Sequence, residues 1–123
     1  MEFSQPKGIY LQIADQIRDR ILQGEWSEGE RIPSIRELAV SLGVNPNTVT
    51  KSYQALTDLE IIENQRGLGY FVATNARKTI LREMKSEFVR EDLPRVFRTM
   101  RLLDMGVDEL AEHYERDTGA NES

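Results

Sequence analysis

Between Ser34 and Leu59 the chain carries two short amphipathic helical patterns separated only by Gly43-Val44-Asn45, and few architectures accept that spacing. The first opens with Ser34-Ile35-Arg36-Glu37, a capping-box pattern in which the serine hydroxyl takes an amide at the helix start while the glutamate reaches back. It would bury Ile35, Leu38, Ala39 and Leu42, and Gly43 would close it. The second opens with Asn45-Pro46, the asparagine as N-cap and the proline in the first turn, where its missing amide costs nothing. Its inner face reads Val49, Tyr53 and Leu56, reaching to about Leu59. A turn of about three residues between two such helices is the spacing of a helix-turn-helix.

The flanks complete the pattern. Residues 1–8 read as a loose arm; from Ile9 to Gln23 the apolar positions Tyr10, Ile13, Ala14, Ile17 and Ile21 form one helical face, with Gly24 at its end. Glu25 to Pro33 is expected to be a loop. After the helix pair, Ile61-Ile62 and Tyr70-Phe71-Val72 flank a glycine-containing tip, Asn64 to Gly69, which reads as a hairpin. The expected fold is mainly α with a small β-hairpin: a winged helix-turn-helix over residues 1–74, followed by a short all-helical dimerisation tail.

That tail, residues 75–118, has helical periodicity throughout. Asn75 is expected to cap a helix carrying Ile80, Met84 and Phe88. Pro94 fits the first turn of a second helix behind Asp92, carrying Val96, Phe97, Met100 and Leu103 before Gly106. Asp108 is expected to cap a last helix with Leu110, Ala111 and Tyr114. Such helices lack the mass of a separate ligand-binding domain, so their apolar stripe is expected to cover itself with a second copy of the chain. Residues 119–123 are expected to be disordered.

Composition removes several function classes. A chain of 123 residues holds one compact domain, or a small domain with an appended element. It has no cysteine, hence no disulfide, thiolate metal site or cysteine nucleophile, and its single histidine, His113, excludes a multi-histidine zinc site within one chain. Glu109 and His113 are four residues apart, a spacing that more often marks a surface pair than a metal site. Gly67-Leu68-Gly69 lacks the third glycine and following helix of a nucleotide-phosphate fingerprint. No catalytic constellation and no cofactor are expected. The N-terminus is acidic, and no apolar run approaches the ~20 residues of a membrane span, so a cytoplasmic protein is expected.

The run Arg31-Ile32-Pro33-Ser34-Ile35-Arg36-Glu37-Leu38-Ala39, then Leu42-Gly43-Val44-Asn45-Pro46-Asn47-Thr48-Val49, then Arg66-Gly67-Leu68-Gly69-Tyr70-Phe71-Val72, resembles the GntR transcriptional regulators of bacteria over residues 9–73. The short helical tail, with Leu102-Leu103-Asp104-Met105-Gly106 before its last helix, resembles the YtrA subfamily, whose members use the tail to dimerise. The resemblance implies a sequence-specific regulator that binds double-stranded DNA as a homodimer, a repressor reading a palindromic operator. It also implies that Arg36, in the first turn of its helix, reaches the DNA. Many relatives carry arginines early in the recognition helix where this chain has Pro46 and Thr50, so their base contacts do not transfer.

The residues themselves say what would replace them. Asn47 can pair with adenine, the Thr50 methyl can pack on thymine, and Lys51 can reach guanine or a phosphate. Thr48 and Ser34 suit phosphates at helix starts. At the hairpin tip Arg66 would enter the minor groove for its negative potential, and Gly67 would permit close approach. Taken alone, Arg36 is a solvated charge, Asn45-Pro46 is explained by capping, and Tyr53 belongs to the core. The conjunction of three segments points to DNA. The chain is nevertheless acidic, 21 Asp and Glu against 16 Lys and Arg. That keeps open a rival reading, a winged helix that binds protein and shows no salt-dependent affinity for a duplex. A third, the DNA-binding arm of a larger fusion, is disfavoured by capped tail helices followed by a polar terminus. A small-molecule effector would have to act at the dimer interface or between tail and winged helix, and no residue names it.

Overall fold

The computed structural model describes residues 8–120. In chain order it contains α1 (Ile9–Leu22), α2 (Ile35–Leu42), α3 (Pro46–Asp58), β1 (Ile62–Gln65), β2 (Gly69–Val72), α4 (Ala76–Glu87), α5 (Leu93–Leu102) and α6 (Val107–Ala120). The chain divides into two compact units between Glu83 and Met84.

The first unit is a winged helix-turn-helix. Its core gathers Ile13, Ala14, Ile17 and Ile21 of α1, Leu38 and Ala39 of α2, and Val49, Tyr53 and Leu56 of α3. These are the apolar faces that the helical spacing selects. Glycine-centred turns end α1 and α2: the Glu25 amide donates to the Arg20 carbonyl and the Val44 amide to that of Ala39, with Gly24 and Gly43 at positive φ. α1 and α3 are locked by Ser52, fully buried, whose hydroxyl donates to the Tyr10 carbonyl at 2.6 Å. The wing is an antiparallel pair with Ile62 opposite Val72 and Gln65 opposite Gly69. Asn64 and Gln65, expected in its turn, belong to β1, so the tip shrinks to Arg66-Gly67-Leu68.

The segment before α2, expected as a loop, adds a short third line of hydrogen bonds to the wing. The Gly29 amide donates to the Val72 carbonyl, the Val72 amide to Glu30 and the Ile32 amide to Tyr70, at 2.8, 2.9 and 2.9 Å, with Arg31 bridging to Phe71. The free edge of β2 requires such partners, since a strand's outer amides and carbonyls must be paired or wet.

The start of α4 belongs to this unit too. Ala76 and Ile80 are 0% exposed and packed with the winged-helix core. This corrects the expected boundary at residue 74, and it corrects Ile80, which fills the core of its own chain instead of facing a partner. Asn75 does not cap α4 in the expected way, because its φ is 68°. The Glu28 carboxylate, 47 residues back in sequence, takes the Asn75 amide at 2.9 Å and the Arg77 amide at 3.2 Å. An acid thereby satisfies donors that a helix start leaves free. The Arg77 guanidinium in turn donates to the Leu22 carbonyl at the end of α1.

In the second unit the helical run does not stop at Asp92. Phe88–Asp92 form a π-helical turn, in which the Leu93 amide reaches the Phe88 carbonyl. Pro94 follows Leu93; it has no amide, and its ring crowds the carbonyl four residues earlier, so a widened turn accommodates it. Asp92 therefore caps nothing with its side chain and instead accepts from Arg95 at 2.8 Å. α6 begins at Val107, with Asp108 inside its first turn, and continues to Ala120, so residues 119–120 are helical where disorder was expected. Residues 121–123, like the arm over 1–7, lie outside the described residues. Met100, expected at the dimer surface, is 7% exposed. It helps line an apolar cavity of about 370 Å³ with Val96, Thr99, Leu103, Met105 and Leu110. Met84, Phe88, Val96, Phe97, Leu103 and Tyr114 are exposed, and Leu110 is half-buried.

Candidate nucleic-acid interface

Three segments of the first unit carry the residues singled out for DNA: the start of α2, the first half of α3 and the tip of the wing. At the start of α2 the capping box forms in full. The Glu37 amide donates to Ser34 Oγ at 3.0 Å, and the Ser34 amide donates to Glu37 Oε1 at 2.9 Å. Ser34 Oγ is engaged with Glu37 in the cap, and what this helix start offers a phosphate oxygen is its free backbone amides. Arg36, in the first turn, is exposed.

The backbone and side-chain bonds with Ser34 hold the Glu37 carboxyl below the usual range; slight desolvation opposes this, and the Arg31 charge adds to it. The acid beside this candidate phosphate contact is thus already engaged in the cap.

In α3, Asn45 Oδ1 accepts the Asn47 amide at 2.7 Å, which leaves the exposed Asn47 side-chain amide uncommitted. Thr50 Oγ1 donates to the Pro46 carbonyl at 3.0 Å. Its hydroxyl proton is used within the helix, and the methyl group and an acceptor lone pair face outward. Lys51 is exposed, while Thr48 is half-buried. Gln54 is less available, since its Nε2 donates to Asp58 Oδ1 at 2.9 Å.

At the wing tip the Leu68 amide closes on the Gln65 carbonyl at 2.8 Å with Gly67 at φ 80°. A Cβ at Gly67 would meet nothing within 4 Å. The glycine is thus required by its left-handed backbone, and the open space around it leaves room for a groove wall. Arg66 and Leu68 beside it are exposed.

A fourth cation, outside the residues that the sequence singles out for DNA, lies just before α2. Arg31 is exposed, and its side chain crosses the wing so closely that a Cβ on Gly69 would come within 2.9 Å of its Nε. Its charge is also felt at Glu37 in the first turn of α2. Only the pairing of Arg31 with Phe71 brings it there. The one local signal was a glycine at 69, opposite nothing the chain order could name. Among the described residues, Arg31, Arg36, Lys51 and Arg66 form no ion pair.

Beneath these segments sits Tyr53, 1% exposed. Its hydroxyl donates to the Pro33 carbonyl at 2.6 Å, and its ring meets the Tyr70 ring edge-on, centroids 4.8 Å apart. Burial raises its pKa well above that of an ordinary phenol, with Tyr70 and Glu37 adding to the rise, so it remains a proton donor. Among the described residues, no group of three or more His, Cys, Asp or Glu side chains could hold a metal ion.

Comparison with known proteins fits this geometry. Residues 9–72 match the model of the bacterial regulatory proteins of the gntR family. Over 111 residues the chain is 40% identical to YhcF of Bacillus subtilis, an uncharacterised HTH-type transcriptional regulator, covering 90% of both chains. It is 41% identical over 85 residues to the HTH-type transcriptional repressor YtrA of the same organism, covering 69% of this chain and 65% of YtrA. A crystal structure of a GntR-family regulator from Bacteroides thetaiotaomicron superimposes with a TM-score of 0.82 at 43% identity, covering 93% of this chain and all of that one.

Proposed function

The chain belongs to the GntR family of bacterial DNA-binding transcriptional regulators, a non-enzymatic family, and from that premise we propose that it is a repressor that binds a palindromic operator as a homodimer. The observation that carries this reading is the set of exposed cations without ion pairs among the described residues, Arg36, Lys51 and Arg66 together with Arg31. Arg36, Lys51 and Arg66 stand on the three segments with which a winged helix meets a duplex, and Arg31 stands beside them at the base of the wing. An acidic chain gains DNA affinity only if its few cations are left free for phosphates.

The roles follow from side-chain chemistry. Asn47, Thr50 and Lys51 read base edges in the major groove; Ser34, Arg36 and Thr48 fix the register on phosphates; Arg66 and Gly67 enter the adjacent minor groove. Arg31 adds a phosphate contact at the base of the wing. Repression is supported by the likeness to YtrA, a repressor. Dimerisation is supported by exposed Phe88, Val96, Phe97, Leu103 and Tyr114 in the second unit, side chains too apolar to be left in water. Two-fold symmetry of the protein would be mirrored in the operator. A regulator of this kind works in the cytoplasm, and among the described residues no helix is long and apolar enough to cross a membrane.

Selection from a random duplex pool tests the reading. An enriched inverted repeat, bound by two chains, is the expected result. Arg66→Ala and Arg31→Ala should then weaken binding, and Arg31→Ala should lower the slope of log affinity against log salt by about one, as the loss of one phosphate contact does. No enrichment, with equally weak binding to every duplex, would overturn it.

A further inference from the structure

A winged helix meets DNA at three places at once, and base contacts survive only if their mutual spacing matches the grooves. In this chain a closed ring of contacts joins those places. The Tyr53 hydroxyl, on the recognition helix α3, donates to the Pro33 carbonyl at 2.6 Å. That carbonyl shares its peptide unit with the Ser34 amide, which donates to Glu37 at 2.9 Å. The peptide that opens α2 is therefore gripped on both sides. One residue earlier, the Ile32 amide donates to the Tyr70 carbonyl of the wing at 2.9 Å. The Tyr70 ring returns to Tyr53, its plane at 75° to that of Tyr53. Tyr53, Pro33, Ile32 and Tyr70 thus form a circuit through α3, the start of α2 and β2.

We infer that Tyr53 is a positioning residue for sequence recognition, holding the recognition helix, the start of α2 and the wing at the one spacing that lets a duplex be read in both grooves. The inference rests on the DNA-binding reading above. It assigns to the Tyr53 hydroxyl a role that packing does not require. A phenylalanine would fill the same space, but only the O–H ties the recognition helix to Pro33. Loss of that tie should harm base readout more than phosphate attraction, because the backbone offers charge everywhere along the duplex whereas base edges demand a fixed register.

The test compares the selected duplex with a scrambled one at several salt concentrations. Tyr53→Phe should weaken the selected duplex about fivefold, the worth of one hydrogen bond. It should leave the scrambled duplex and both salt slopes unchanged. Tyr70→Leu, which removes the ring contact but keeps the backbone bond to Ile32, should behave alike. Tyr70→Phe, which keeps the ring, should match the parent. A residue needed only for stability would lower the melting temperature and reduce binding to both duplexes equally, and that result would overturn the inference. So would an unchanged ratio of the two affinities in Tyr53→Phe. Should that variant fail to fold, the Tyr70 pair decides: loss of discrimination in Leu but not in Phe supports the inference, and discrimination retained in both overturns it. A parent protein that does not discriminate at all would instead overturn the DNA-recognition reading beneath it.

Discussion

Glu60 holds a left-handed backbone, φ 63°, at the end of α3, where the Ile61 amide closes on the Leu56 carbonyl at 2.9 Å. Gly24 and Gly43 occupy the matching place after α1 and α2, and Asp104 after α5 at φ 56°. A side chain in that conformation costs about 1 kcal/mol or somewhat more. Glu60→Gly should therefore raise stability by up to about 1 kcal/mol, reduced by the extra freedom glycine gives the unfolded chain. Denaturant titration reads this as a higher midpoint at unchanged slope; a lower midpoint would mean that the carboxylate has a favourable contact outweighing the strain. The same residues mark how far single positions could be read. The glycine stops after α1 and α2 were legible, because glycine is the usual residue in that backbone conformation. Glu60 and Asp104 announce nothing, since their backbone is imposed by the helix end and by what packs after it.

At the scale of the element, local capping was the most legible feature. Ser34 and Glu37 lie three residues apart and satisfy each other without help from the rest of the fold, so α2 begins where the pattern says. The pH dependence of that cap has a definite sign. The Glu37 carboxyl is held below its ordinary value of 4.5, first by the Ser34 amide and then by the Ser34 hydroxyl contact. Its contribution is full above the unfolded value and is lost as pH falls through the folded one. Glu37→Gln should remove this component, so that stability declines less steeply with acid below about pH 5 than in the parent. Parallel acid curves for the two proteins would show that the cap does not depend on the charge. By contrast, α4 takes its cap from Glu28, 47 residues away, and α5 follows a π turn where a break was expected. A donor from a distant loop leaves no local signal. A proline marks a disturbed helix equally well whether the chain breaks or widens around it.

For the whole molecule, the division between the two units separates side chains that periodicity alone had grouped. Ile80 and Phe97 both belong to apolar helical stripes, yet Ile80 is 0% exposed and Phe97 is 40% exposed. Ile80→Ala should lower the unfolding free energy by about 3 kcal/mol through the cavity it leaves, independent of protein concentration. Phe97→Ala should leave that transition nearly unchanged and move dimer dissociation to higher concentration, read by sedimentation. A concentration-dependent effect at Ile80, or none at Phe97, would reverse the assignment. Local patterns in the chain were enough to place the helices, the turn between α2 and α3 and the hairpin. All of these rest on interactions within a few residues: caps, glycine stops, and a periodicity of 3.6 or 2. That Arg31 joins the wing, that Ile80 completes the first core and that Tyr53 ties α3 to Pro33 and Tyr70 became visible with the folded chain. Those facts depend on which distant chain segments share an edge or a core, and the energies of such contacts are set by partners whose positions no local pattern encodes.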